Sequence, residues 1–251
     1  MFNRVFPIKS IEHLNKSYFV IAVDLVEHAK DIKAGQFFQI KPANESASLL
    51  KKPVSVYDVN GTEVKLMIKG VGKATEQLST FQAGDVLDVI GPLGNGFPLI
   101  EKQKVVLVSG GIGYPPLFYL KKKLIEYENE VYWLHGGQGK NDIFPADEQW
   151  SIHGSVGNKG LVTDGFIDYL QTHKADVVYA CGPKPMLNAL SILAAEFEVP
   201  LYVSLEEYMA CGIGVCHGCA VKVRTEDLIG TTYKTVCKDG PVFKAQDIVW
   251  E

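Results

Sequence analysis

The chain has five cysteines, and four of them, Cys211, Cys216, Cys219 and Cys237, carry its clearest chemistry. Three stand as C-x4-C-x2-C in Cys211-Gly212-Ile213-Gly214-Val215-Cys216-His217-Gly218-Cys219, and the fourth follows after 17 residues. That spacing suits a [2Fe–2S] cluster, where a loop wraps one iron and a distant cysteine completes the other. Glycines at 212, 214 and 218 let the loop curl so that thiolates and amide N–H groups face the inorganic sulfides. A cluster passes single electrons, so the rest of the chain is expected to supply a donor and an acceptor. Structural zinc is the competing use of four cysteines. Zinc sites usually pair two C-x2-C units around one ion, whereas here one gap is four residues and the last cysteine stands alone. A Rieske centre would need two histidines in place of two cysteines. His217, between two candidate ligands, reads as an exposed or hydrogen-bonded loop residue.

A second set of residues suits phosphate. The apolar run Lys104–Ser109 flows into Gly110-Gly111-Ile112-Gly113 and then into a helical pattern. Glycines there let the backbone approach an anion at the positive end of the helix. The full G-x-G-x-x-G fingerprint is absent, so tight packing is the alternative account of Gly110, Gly111 and Gly113. Cys181-Gly182-Pro183 follows a later strand, at the edge where ligands bind in open parallel sheets. Its plainer reading is a buried cysteine before a turn. Nearer the N-terminus, Lys52-Pro53-Val54-Ser55 precedes Gly72-Lys73-Ala74-Thr75, a turn and helix start with a hydroxyl suited to a pyrophosphate. Lys52 and Lys69 can pair with its charge.

These residues need elements to hold them. Residues 1–99 read as short strands divided by turns: Tyr18–Val23, Gln36–Ile40, Pro53–Val59, Glu63–Lys69 and Gly84–Gly91, with the hairpin turn Asn60-Gly61. With one brief helix near Thr75–Phe81, they predict a small antiparallel barrel. From about residue 100 the pattern alternates. Strands at Lys104–Ser109, Val131–His135, Asp176–Cys181 and Leu201–Leu205 are separated by helical stretches, one periodic at Leu117, Leu120, Leu124 and Ile125 and one over Lys184–Phe197. That alternation predicts a parallel sheet with helices on both faces over 100–205. Residues 206–251 are left for a small cysteine-bearing domain outside both.

Composition sets the class. At 251 residues the chain suits two domains plus an appendage, and 47% hydrophobic with 22% charged residues is ordinary for a globular protein. A net charge of −4 gives no reason to expect nucleic-acid binding, and Lys121-Lys122-Lys123 reads as a solvated helix face. The N-terminus lacks a signal-peptide pattern, and no apolar run is long enough to span a membrane. Bunched cysteines at metal-ligand spacing fit reduced thiols, so a cytoplasmic location is expected.

Taken in order, barrel, Pro-x-Ser, Gly-x-x-Thr, Gly-Gly-Ile-Gly and Cys-Gly-Pro resemble the ferredoxin reductase superfamily, flavoenzymes with an FAD barrel and an NAD(P) domain. Ser204–Gly214 and Val236–Phe243 are similar to the electron transfer subunits of NAD-dependent (type B) dihydroorotate dehydrogenases. The resemblance covers essentially the whole chain. It implies that Lys52, Pro53, Val54 and Ser55 hold the flavin, with the Ser55 hydroxyl near N5. It also implies that Met67, Ile68 and Lys69 touch the FAD pyrophosphate, that Ala74 and Thr75 cap it, and that the four cysteines ligate the cluster. Gly110, Gly111, Gly113, Cys181, Gly182 and Pro183 are expected on the NAD side, with Ser55 and Cys181 near the reacting flavin–nicotinamide pair. No catalytic base is expected in this chain.

The resemblance further implies a separate FMN-containing catalytic subunit, in a complex of two copies of each. Electrons from dihydroorotate would reach that FMN, then the cluster, FAD and NAD+, with 206–240 forming much of the contact. Two departures stand out: Lys52 replaces the usual arginine, exchanging a bidentate phosphate contact for a point charge, and Tyr208 replaces an arginine. The alternatives are a reductase subunit of a ferredoxin:NADP+ or sulfide-linked complex, and a zinc-containing module with vestigial nucleotide sites.

Overall fold

A computed structural model describes residues 1–43, 49–226 and 230–250. Six strands close into an antiparallel barrel: β1 (Phe2–His13), β2 (Tyr18–Asp24), β3 (Phe37–Pro42), β4 (Lys52–Asn60), β5 (Glu63–Lys69) and β6 (Val86–Leu93), in the order β1-β2-β5-β4-β3-β6. The short helix α1 (Lys73–Ser79) lies between β5 and β6. Alternation sets the register: Val54 and Val56 on β4, and Phe38 and Ile40 on β3, point into the barrel. Phe37 lies on the outer face of β3 and packs instead with Leu93, Cys219, Val221 and Cys237.

The second sheet is built from β7 (Lys104–Gly110), α2 (Tyr114–Glu126), β8 (Glu130–Gly137), β9 (Glu148–Ser151), β10 (Asn158–Lys159), α3 (Val162–Thr172), β11 (Val177–Cys181), α4 (Lys184–Glu196) and β12 (Leu201–Ser204). Its central strands run parallel in the order β10-β9-β8-β7-β11-β12. β7 and β11 are buried through almost their whole length, as strands covered on both faces must be. α2 is wedged between this sheet and the barrel. Lys122 donates to Asp58 at 3.0 Å and to the Val59 carbonyl at 2.9 Å, so one residue of the expected solvated lysine run bolts α2 to β4. Lys121 and Lys123 pair with Asp147 and Glu126. Leu117, Leu120 and Leu124 are fully buried, while Ile125, expected with them, is exposed in the helix's last turn.

The last segment forms the hairpin β13 (Ala220–Arg224) and β14 (Thr231–Thr235), and then β15 (Val242–Lys244). A place outside both sheets is the sequence expectation, but β15 pairs antiparallel with β12, Ser204 opposite Val242, and becomes the seventh strand. The edge of β12 would otherwise offer unpaired backbone groups to other chains. Asn95, just past β6, ties the same region to the barrel by donating from its backbone to the Gly240 carbonyl (2.6 Å) and from its side chain to Asp239 (2.9 Å). Among the described residues no helix is long and apolar enough to cross a membrane.

Candidate functional site

The cysteines fall into two pairs. The hairpin sets the first: Ala220 faces Thr235, and Val236 N–H donates to the Cys219 carbonyl at 3.0 Å, which brings Cys219 and Cys237 side by side. The Cys219 and Cys237 side chains are neighbours, as are those of Cys211 and Cys216 across the glycine-rich loop. Backbone N–H groups are aimed at the sulfurs: Gly214 at Cys237 (3.1 Å), Cys216 at Cys211 (3.4 Å) and Cys237 at Cys219 (3.5 Å). Burial alone would raise the Cys211 thiol, but the N–H groups of Cys216, Ile213 and Val215 and the Cys216 side chain hold it down at about 6. Cys237 is pushed up to about 12, first by burial and then by its bond to Cys219.

Two neighbouring pairs of sulfurs, three of the four facing a backbone N–H, fit two irons bridged by sulfide. Cys216 and His217 are exposed on the outer lip, while Cys219 and Cys237 are buried.

Beside the cysteines a cleft of about 310 Å³ opens between the barrel and the sheet. Lys52, Pro53, Val54 and Ser55 of β4, Met67, Ile68 and Lys69 of β5, and Thr75 of α1 all line it. Ala74 does not. The Thr75 hydroxyl is occupied by its own turn, accepting from Val71 N–H at 3.0 Å and donating to the Gly72 carbonyl at 3.0 Å. Walls of Phe37, Val54, Met67 and Ile68 with two lysines at the rim suit a flat aromatic ligand carrying an anionic tail.

A second cavity, about 600 Å³, lies over the carboxyl ends of β7, β8 and β11. Gly110, Gly111, Gly182 and Pro183 line it, whereas Gly113 and Cys181 sit beneath. A Cβ at Gly113 would fall 2.2 Å from the Cys181 carbonyl oxygen, so that glycine serves the packing of the two turns. Gly111 takes φ +53°, a left-handed turn that glycine adopts at no steric cost. The Cys181 thiol is fully buried, which raises its pKa, with the nearby Glu206 adding to the effect.

Lys69 and Ile112, both in motifs read from the sequence, line both cavities together with Glu206, so the two cavities meet at them. Glu206, Gly136, Gly137 and Asp142 escape the sequence reading. Glu206 is solvent-accessible at that junction, and the protein packed around its carboxyl raises its pKa. Gly136 and Gly137 end β8 and open onto the second cavity; a glycine pair directly after an apolar strand was the available signal. Asp142 lines it too, and accepts from Lys69 Nζ and from the Tyr18 hydroxyl, each at 2.7 Å. Burial would raise the Asp142 carboxyl, yet these two donors hold it below the usual range. Lys69, expected to meet a phosphate, therefore already has an anionic partner.

Residues 206–249 match the iron–sulfur cluster binding domain of dihydroorotate dehydrogenase B. The electron transfer subunit of dihydroorotate dehydrogenase B (NAD(+)) from Geobacillus sp. (strain WCH70) is 42% identical over 228 residues, 86% of each chain. That of Shouchella clausii is 36% identical over 260 aligned positions, covering 98% of this chain and 97% of its own. Among solved structures, a chain of an NADH-dependent reduced ferredoxin-NADP oxidoreductase superposes with a TM-score of 0.87 at 29% identity, covering 98% of this chain and 90% of that one. The cytochrome b5 reductase domain of Ulva prolifera nitrate reductase, at 16% identity and a TM-score of 0.64 over 78% of this chain and 93% of its own, shares the fold alone. The chain belongs to the family of electron transfer subunits of dihydroorotate dehydrogenase B (NAD(+)).

Proposed function

We propose that this chain carries electrons from the FMN of a dihydroorotate-oxidising catalytic subunit to NAD+, in pyrimidine biosynthesis. The observation that carries the reading is the adjacency of three features: paired cysteines, an aromatic-shaped cleft, and a glycine-floored cavity that meets the cleft at Ile112, Lys69 and Glu206. A [2Fe–2S] cluster handles electrons singly, and FAD converts them in pairs to a hydride.

Each group of residues then has a task. Cys211, Cys216, Cys219 and Cys237 hold the irons. Val54 and Met67 pack on the flavin ring, and Ser55 offers a hydroxyl to its edge. Lys52 meets the pyrophosphate as a point charge. Gly110, Gly111, Gly182 and Pro183 let the nicotinamide dinucleotide lie close on the strand ends. Glu206 bounds the meeting point of the two ligands. We place the protein in the cytoplasm, where its five free cysteines stay reduced, as half of a complex of two copies of each subunit.

The test uses the purified chain and its complex. Flavin and iron–sulfur bands are expected in the visible spectrum, and Cys216→Ser is expected to lose the iron–sulfur bands while keeping FAD. The wild-type complex should reduce NAD+ on addition of dihydroorotate, and the variant complex should not. A colourless wild-type protein containing zinc would refute the reading. Light scattering of the complex checks the stoichiometry.

A further inference from the structure

Gln39 is 1% exposed, and neither end of its carboxamide has a partner among the described residues. Five other buried polar side chains are bonded: Ser109 and His135 to each other, Asn129 to the Leu124 carbonyl, Ser151 to the Val156 carbonyl, and Thr235 to Asp239. A buried amide left unpaired at both ends is costly and marks a partner that arrives with a ligand.

Its position identifies that ligand. Gln39 lies on β3 opposite Pro53 of β4, two residues from Phe37 and on the same outward face. That face is covered by the cysteine segment. Gly212, the residue after Cys211, presses directly on it: a Cβ there would fall 2.7 Å from Gln39 Cγ and 2.8 Å from Nε2. Gln39 does not line the cleft assigned to the flavin. Gly212 directly follows Cys211, so the ligand assigned to this loop is a cluster whose acceptors are sulfur.

We propose that the Gln39 side-chain N–H₂ donates a hydrogen bond to the cluster's sulfur at this loop, the Cys211 thiolate or the sulfide beside it. The inference rests on the cluster reading above. Gln39 is thus a positioning residue: it seats the cluster against the barrel wall whose next strand, at Pro53, faces the flavin cleft. It also sets the cluster's potential. An N–H donor stabilises the more negative, reduced cluster more than the oxidised one, and so raises its reduction potential.

The experiment has two arms, both on the FAD- and cluster-loaded protein. In wild-type protein labelled with ¹⁵N only at glutamine side-chain amides, pulsed EPR of the reduced cluster should show a weak ¹⁵N coupling. In Gln39→Met, which keeps the shape and removes the donor, the midpoint potential should fall, and the ¹⁵N coupling should vanish at unchanged iron and flavin content. A reduced wild-type cluster without the coupling overturns the inference whether or not the variant folds. An unchanged potential in a fully loaded variant overturns it too. A wild-type protein that holds no cluster would instead bring down the functional reading beneath it.

Discussion

At the scale of single residues, the cysteine loop aims backbone N–H groups at three of the four sulfurs. Gly212 takes φ +70° while touching Gln39, so two demands meet in one residue. Gly61, in the β4–β5 turn, has φ +60° with nothing within 4 Å of an added Cβ. The pair separates backbone conformation from contact. Gly61→Ala should cost only the left-handed penalty, about 1 kcal/mol, and leave cofactor content unchanged. Gly212→Ala adds a collision with Gln39 to the same penalty and should lower iron per chain several-fold while FAD stays bound. Iron and flavin assays on the purified variants check this, and equal iron in both would show that the Gly212 contact is slack. The cysteines were legible from spacing alone because metal ligation fixes local geometry. Gln39 and Glu206 were not, since what surrounds them comes from strands and loops distant in sequence.

Within elements, β7 and β8 are locked by a buried polar chain. Trp133 Nε1–H donates to Ser109 Oγ (2.8 Å), Ser109 donates to His135 Nδ1 (2.7 Å), and His135 Nε2–H donates to the Asp142 carbonyl (2.9 Å). This arrangement needs a neutral imidazole, and burial lowers the His135 pKa to about 4. The unfolded chain takes up the proton near pH 6.5 and the folded one resists it, so stability is complete above 6.5 and falls as pH drops toward 4. The loss between pH 7.5 and 5 amounts to about 2 kcal/mol from this residue. Urea unfolding across that range should show a shallower pH dependence in His135→Gln than in wild type; parallel curves would refute the buried neutral state. Elements with a strong pattern, such as β7, β11 and α2, were readable. β1 was not, because of its twelve residues only Phe2 and Ile8 are buried and no alternation results. α3 escaped because it begins at Leu161-Val162 with no polar cap, its first turn being closed instead by Asp164 accepting from Leu161 N–H at 2.9 Å. β15 is three residues long and has meaning only as the cover of an edge assembled elsewhere.

At the scale of the whole molecule, the cofactor path runs from the interior to one face. The flavin cleft is held between barrel and sheet, while the cysteine loop reaches the surface with Cys216 exposed. Around it stand apolar side chains that a soluble surface does not need: Tyr208 at 94% exposure, Val215 at 72% and Ile213 at 42%. Tyr208 adds aromatic area of the kind enriched at protein interfaces. We propose that electron entry and docking share this patch, with the catalytic subunit as its occupant. Placing a carboxylate at its centre should weaken the complex without touching the cofactors, because burying an unpaired charge opposes association. Val215→Asp is expected to weaken binding of the catalytic subunit at least tenfold, about 1.4 kcal/mol. Its visible spectrum and its oxidation of NADH with an artificial acceptor should stay at wild-type values. Hydrogen exchange on the free chain and on the complex should show protection concentrated in the described parts of 206–240. Wild-type affinity in Val215→Asp, with unchanged exchange in that segment, would move the docking face elsewhere on the molecule.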